Sequence, residues 1–425
     1  MTSFLIPYGT GMVTLHVPQH RVMGVLQAKK EESAMDAATL IREALSHPIG
    51  SGCLRDLAYG KQRILVITSD HTRPLPSRVT LPLLLEEIRR GAEHAEIRIL
   101  VATGMHRAPT TDELREKYGE EMLRREQFFI HRCDQEEGLR YFGQLPSGGE
   151  LWLNAMADWA QLVIAEGLIE PHFFAGFSGG RKSILPGIAG RKTVLYNHNA
   201  CMIGDLRAAA GCLMDNPIHQ DMTAAARLAH LAFILNVLID NEKRIVAAFA
   251  GDPELAHLAG SRVCKDKMSV PAAQADIVVT SNGGYPLDQN MYQCVKGMTA
   301  GEACVKQGGI IILCAALGDG HGGEAFFRYF SNGLPAEDVE NEILAVPPDQ
   351  TQPDQWQAQI LARVLKKARC IFVSGPENRE LIERMGMAWA ETPDCALNLA
   401  EQMLGCENAS VCLIPDGVGI LIGNK

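Results

Sequence analysis

Seven short apolar runs, each closing on a small or polar residue, constrain this chain more than any other feature of its sequence. They are RILVITSD (63–70), EIRILVATG (96–104), QLVIAEG (161–167), ADIVVTSN (275–282), GGIIILCAA (308–316), ARCIFVSG (368–375) and SVCLIPDG (410–417). Runs that are apolar at successive positions suit strands buried on both faces, as in parallel sheets. Helical patterns lie between them: SRVTLPLLLEEIRRGA (77–92), QAQILARVLKKA (357–368) and CALNLAEQML (395–404). Strands alternating with helices imply α/β architecture. The stretch 233–252 reads instead as two strands around a tight turn at Asp240–Glu242, so a hairpin joins the first domain. A helix is expected around 253–266, and DKMSVPAAQ (266–274) reads as a linker. With 425 residues, the expectation is two α/β domains, 1–270 and 271–425, with mainly parallel sheets flanked by helices and an active site in the cleft between them.

The balance of 40 basic against 50 acidic residues gives a net charge of -10. That argues against a nucleic-acid surface and against a polybasic membrane patch. An anionic small molecule would then need a local basic pocket, so individual Arg and Lys positions matter more than the total. The N-terminal segment lacks a basic stretch followed by a long apolar one, and no window reaches 18 uninterrupted apolar residues. Neither a signal peptide nor a spanning helix is expected. The 12 cysteines are scattered without a C-x2-C pair. This disfavours structural zinc and suits buried thiols in a reducing compartment, the cytoplasm.

Ligands of open α/β sheets bind beyond the carboxyl ends of the strands. The segments there are Asp70-His71-Thr72-Arg73, Gly104-Met105-His106-Arg107, Gly167 leading to His172, and Asn282-Gly283-Gly284-Tyr285. The segment PHFFAGFSGGRKS (171–183) is the most unusual, placing His172, a Gly/Ser turn and Arg181-Lys182 within a short span. From Gly176 to Ser183 it nearly matches a phosphate-binding P-loop, but Arg181 replaces the second glycine. His106 and His172 follow strand-like runs and could serve as acid/base groups. His198 is a third candidate; the spacings of the three match no compact zinc motif. His71, His219 and His321 also lie in polar segments. Arg73 and Lys296 are candidates for carboxylate recognition. Phe174 and Phe177 could face an apolar substituent or serve packing alone. No strand-like run leads into G-x-G-x-x-G, which argues against free NAD.

Together, SDHTRPLP (69–76), TGMHR (103–107), PHFFAGFSGGRKSILPGIAG (171–190), the Asn197-His198 pair, YPLDQNMYQCVKGM (285–298) and Trp356 resemble the lactate racemase family across essentially the whole chain. The resemblance implies a 2-hydroxy-acid racemase or epimerase carrying a nickel-pincer nucleotide, a pyridinium thioamide/thioacid mononucleotide with nickel. Lys182 resembles the lysine that binds this cofactor covalently, and His198 the imidazole that completes the nickel site. His106 and His172 resemble the paired acid/base residues. Arg73, Gln293 and Lys296 resemble substrate anchors, with Tyr292 and Trp356 close by. Asp70 resembles a site residue whose partner stays open and is grouped with Gly179, Gly180, Arg181 and Ser183 as cofactor-binding.

The implied reaction moves the α-hydrogen of the substrate as a hydride and returns it to the other face of a planar 2-keto acid. Each enantiomer presents its hydroxyl on a different side, which calls for two bases. The implied partners are a small 2-hydroxy acid, with a lean towards a monocarboxylate, and cofactor-building proteins for loading; no nucleic acid and no membrane are expected. Two other readings remain open at this point: a protein that binds a phosphate-bearing cofactor without turnover, and a P-loop-like phosphotransferase.

Overall fold

The computed structural model describes residues 1–28, 35–240 and 242–423. They form two compact units, one of residues 35–198 and 205–266, the other of 1–28, 199–204 and 267–423. In the first, a six-stranded sheet runs in the order Ile245–Gly251, Leu231–Ile239, Leu162–Leu168, Arg63–Ser69, Glu96–Ala102, Gln127–Ile130. All neighbours are parallel except the Leu231–Ile239/Ile245–Gly251 hairpin. Its expected turn includes residue 241, outside the described residues. The two central strands are buried along nearly their full length, which explains why they are apolar at successive positions. Helix Ser77–Gly91 buries Leu81, Leu84, Leu85 and Ile88 against Ile64, Val66, Ile99 and Val101.

The chain steps outward from Arg63–Ser69 to Glu96–Ala102 and Gln127–Ile130, then returns to Leu162–Leu168 on the opposite side. The strand order therefore reverses between Arg63–Ser69 and Leu162–Leu168. A crevice opens at such a reversal, because the connections leave to opposite faces.

The second unit holds a six-stranded, all-parallel sheet in the order Ala388–Ala390, Arg369–Val373, Val305–Cys314, Ala275–Ser281, Val411–Ile414, Val22–Val25. Three details depart from the sequence reading. Residues 1–28 were counted with the first domain, yet Val22–Val25 is the edge strand of this sheet. The hairpin Thr2–Tyr8/Gly11–Val17 buries Ile6, Leu15 and Val17 against Ile277, Ile312 and Leu413. Helix Ala200–Gly204 also belongs here, where Gln359 Nε2 donates to the Ala200 carbonyl at 2.9 Å. Finally, 266–274 is no free linker: helix Leu255–Met268 runs into it and Ser269–Pro271 pairs in parallel with Leu421–Gly423.

Several histidines are structural. His131 is 1% exposed; its Nε2 donates to the Ala189 carbonyl at 3.0 Å and its Nδ1 accepts from Asn154 at 3.2 Å. Burial pulls its pKa down to about 4. Burial also pulls that of His257 well below the ordinary value. Such groups stay neutral when folded but take up protons when unfolded, from near pH 6.5 downward. The histidine contribution to stability should therefore be level above pH 6.5 and fall as pH drops from 6.5 towards 4, by about 1.4 kcal/mol per pH unit for each histidine. Denaturant midpoints against pH test this, and His131→Gln should reduce the slope in that window. An unchanged slope would remove His131 from the account.

Candidate active site

The strand reversal of the first unit is where three of the expected segments meet. Strand Arg63–Ser69 delivers Asp70 and the loop to Arg73; strand Glu96–Ala102 delivers His106. Asp70 is 2% exposed, and its Oδ2 accepts from His106 Nδ1 at 2.8 Å. Its Oδ1 accepts from the Thr72 amide at 3.1 Å and the Thr72 hydroxyl at 2.6 Å. Burial alone would raise this carboxyl. The bond and charge of His106, the charge of Arg73 and the Thr72 hydroxyl outweigh burial and hold Asp70 well below the usual carboxylate range. An ionised Asp70 can only accept, so the neutral His106 ring carries its proton on Nδ1 and presents an Nε2 lone pair. Asp70 thus has partners the sequence could not supply, the ring of His106 and the backbone and hydroxyl of Thr72.

Arg73 is half-buried, and its Nη1 donates to the Thr72 hydroxyl at 3.1 Å. Among the described residues no carboxylate pairs with it, which suits a guanidinium reserved for an anion. The other histidines raised by sequence have their own surroundings. His71 Nε2 faces Glu113 Oε1 at 3.6 Å. His321 Nδ1 accepts from the Gly323 amide at 3.0 Å. His219 is pulled down to about 3 by burial and by the charge of Arg181.

The segment after Leu162–Leu168 folds around one phenyl ring. Phe174, 4% exposed, meets His172 edge-on at 4.5 Å between centroids and His198 at 5.1 Å, and Lys182 Nζ lies 5.5 Å from its centre. Three expected site residues thus share one apolar wall. Phe177 is buried at 2% and is packing. The Ala175 amide donates to His172 Nδ1 at 3.3 Å, so the proton of the neutral His172 ring sits on Nε2, opposite to His106.

In the glycine-rich turn, three of the residues expected to bind cofactor, Gly179, Gly180 and Arg181, are bonded or packed within the protein. Arg181 points inward. Its Nη1 donates to the Phe177 carbonyl and lies 2.9 Å from His257 Nε2, while Nη2 donates to the Ala175 carbonyl at 2.7 Å. The guanidinium is 3% exposed and staples its own loop. The Gly180 amide is spent on Asn236 Oδ1 at 2.8 Å. Gly179 and Gly180 have φ of 77° and 53°, and a Cβ at either would press on Asn236 or the His257 ring. Close packing with positive φ accounts for both glycines. Ser183 is half-buried at the end of a single 3-10 turn, Gly180–Ser183. A P-loop needs a glycine-rich turn opening onto a full helix; here the turn leads into a single 3-10 turn and the Gly180 amide is taken by Asn236, so the phosphotransferase reading loses its support.

In the second unit, Asn290 caps helix Met291–Cys304 by accepting from the Gln293 amide at 2.9 Å. That helix carries Tyr292, Gln293 and Lys296, with Tyr292 and Lys296 one turn apart on the same face. Helix Gln355–Lys367 supplies Trp356, whose indole donates to the Tyr292 hydroxyl at 3.0 Å. Burial pushes the Tyr292 phenol far up, so it stays protonated.

The donor set suits the nucleotide that the resemblance implies. His198 is 4% exposed, and burial together with the Lys182 charge lowers its pKa to about 3. Protons therefore do not compete for this imidazole near neutrality, as a metal ligand requires. Lys182 lies against the same Phe174 ring.

Comparison with known proteins decides the family. The lactate racemase N-terminal domain matches residues 8–211 and the lactate racemase C-terminal domain residues 270–422. The lactate racemase of Thermoanaerobacterium thermosaccharolyticum is 49% identical over 427 residues, covering 100% of both chains. The chain belongs to the lactate racemase family. The lactate racemase of Lactiplantibacillus plantarum is 46% identical, covering 99% of this chain and 100% of its own. The structure of the Thermoanaerobacterium lactate racemase apoprotein superposes with a TM-score of 0.97 over 99% of this chain and 100% of that one. A Thermotoga maritima protein with 19% identity shares the fold, with a TM-score of 0.70 over 93% of this chain and 100% of its own. The chain is accordingly an isomerase, a racemase of α/β fold with mainly parallel sheets. None of its described helices is long and apolar enough to cross a membrane.

Proposed function

We propose that this racemase interconverts the enantiomers of a small 2-hydroxy acid, a lactate-like monocarboxylate, using a nickel-pincer nucleotide. Lys182 would hold that group covalently and His198 would complete its nickel site. When bound, it supplies the acceptor that takes the α-hydrogen with its electron pair and returns it. The chain's own residues do the rest. Arg73 offers a planar pair of donors to the substrate carboxylate. Gln293, Lys296, Tyr292 and Trp356 are assigned to the substrate with it. His106 and His172 hold and move the hydroxyl proton at their Nε2 atoms, one for each orientation of the hydroxyl.

The observation that most supports this reading is the opposite setting of the two imidazoles. His106, with Nδ1–H on Asp70, offers a lone pair at Nε2; His172, with Nδ1 accepting from Ala175, offers N–H at Nε2. A proton leaving one enantiomer's hydroxyl and returning to the other's carbonyl oxygen needs one group of each kind. A binding protein without turnover has no use for such a pair. The 12 free cysteines fit a cytoplasmic setting, with loading by cofactor-building proteins.

A panel of pure 2-hydroxy-acid enantiomers, given to cofactor-loaded enzyme and read by chiral separation, tests the function. Either enantiomer of a small monocarboxylate should run to an equal mixture. Stoichiometric nickel with no interconversion of any 2-hydroxy acid would sink the reading.

A further inference from the structure

The loop from Asp70 to Pro76 has no regular structure of its own, yet on the reading above it must aim Arg73 at a carboxylate and hold Asp70 against His106. What braces it is a polar cluster in none of the motifs. Helix Thr111–Tyr118 ends beneath the loop, and Lys117 Nζ donates to the Arg73 carbonyl at 2.8 Å and the Leu75 carbonyl at 3.4 Å. The next residue, Tyr118, donates to the Ser69 carbonyl at 2.7 Å. Behind them Glu166, 1% exposed on strand Leu162–Leu168, accepts from the hydroxyls of Thr68 at 2.6 Å, Ser77 at 2.8 Å and Thr80 at 2.5 Å. These hydroxyls flank the loop on both sides. Burial lowers the Lys117 ammonium to about 8, opposed by the charges of Glu166 and Asp70. Placing a lysine there costs desolvation, and among the described residues its hydrogen bonds go to loop carbonyls.

We propose that Lys117 is a positioning residue for substrate binding: it grips the loop at the carbonyls of Arg73 and Leu75 and so fixes the direction in which the Arg73 guanidinium leaves the backbone. A two-pronged Arg–carboxylate contact tolerates little error, and misplacement by about 1 Å can cost around 10²-fold. The inference rests on Arg73 meeting the substrate, but the clamp itself can be measured without substrate.

Lys117→Met in the cofactor-loaded enzyme should raise KM for the 2-hydroxy acid roughly 10–100-fold, with kcat within about threefold and nickel content unchanged. Lys117→Arg, which keeps charge and donors, should recover most of the loss. Lys117→Gln, which removes the charge and shortens the reach while keeping an amide NH2, replaces methionine if that variant fails to fold, with a rise in KM in the same direction expected. On the unloaded full chain, amide exchange read by mass spectrometry should show peptides spanning 70–77 losing protection in Lys117→Met while those of strands Arg63–Ser69 and Glu96–Ala102 keep theirs. An unchanged KM, a fall confined to kcat, loss of nickel, or unchanged protection at 70–77 would each overturn the proposal. If the unaltered enzyme turned over no 2-hydroxy acid yet the exchange effect appeared, the clamp would stand and the functional reading would fall.

Discussion

Protein carrying Lys182→Ala, produced together with the cofactor-building proteins, should show the bare sequence mass, whereas the unaltered chain should be heavier by one nucleotide. Peptide mapping should put that extra mass on Lys182. The expectation rests on surroundings: Lys182 lies against Phe174, which also packs on His198 and His172. Lys192, the nearest alternative, is 85% exposed and faces Glu136 at 3.1 Å. On the proposed reading the cofactor would supply the hydride chemistry, and the protein would bind and orient it. Racemisation should therefore drop by at least about 10⁶-fold, the lower end of enzymic acceleration, while the thermal midpoint of the apoprotein stays close to its starting value. An adduct on Lys192, or full activity in the variant, would refute the assignment.

The second large effect concerns the two imidazoles. His106→Ala and His172→Ala should each lower racemisation by about 10²–10⁴-fold while nickel stays bound. Asp70→Asn should fall in the same range, and it is the more discriminating change. An asparagine amide can donate to His106 Nδ1, which would move the ring proton to Nε2 and turn a base into a donor. Because the equilibrium constant between enantiomers is one, kcat/KM must fall equally in both directions. The half-reactions can still differ: proton removal from one enantiomer should fail more severely without His106, and from its mirror image without His172. Normal half-reactions with both enantiomers in both variants would exclude the pair, and His71 would be tested next.

Much of this was legible in the sequence because it is local. The buried strands announce themselves through unbroken apolar runs, and the residues after them carry the chemistry that strand ends collect. The directions of side chains were not legible. Arg181 reads as a phosphate-binding cation, and nothing in the sequence signals that its guanidinium closes on the carbonyls of Ala175 and Phe177. Asp70 and His106 stand 36 positions apart, and nothing in either segment names the other as partner. Lys117 and Glu166 carried no signal, since a lysine near the end of a polar helix is normally solvated. The strand Val22–Val25 is four residues long and contains Gly24, too short and too interrupted to register as a period.

That strand also bears on how the molecule is made. Arg21, next to it, donates to the carbonyl of Ala409, 388 residues further along the chain. At ribosomal rates of about 5–20 residues per second, the first segment waits roughly 20–80 s before its neighbour Val411–Ile414 exists. The unit formed by residues 35–198 and 205–266 can close in the meantime. Throughout that interval Met23 and Val25, already exposed at 58% and 41% in the finished fold, sit on a strand with no neighbour, where stray β-pairing starts. Newly made chains are thus exposed to misassembly at this early segment. Slowed elongation should lengthen that interval and lower soluble yield.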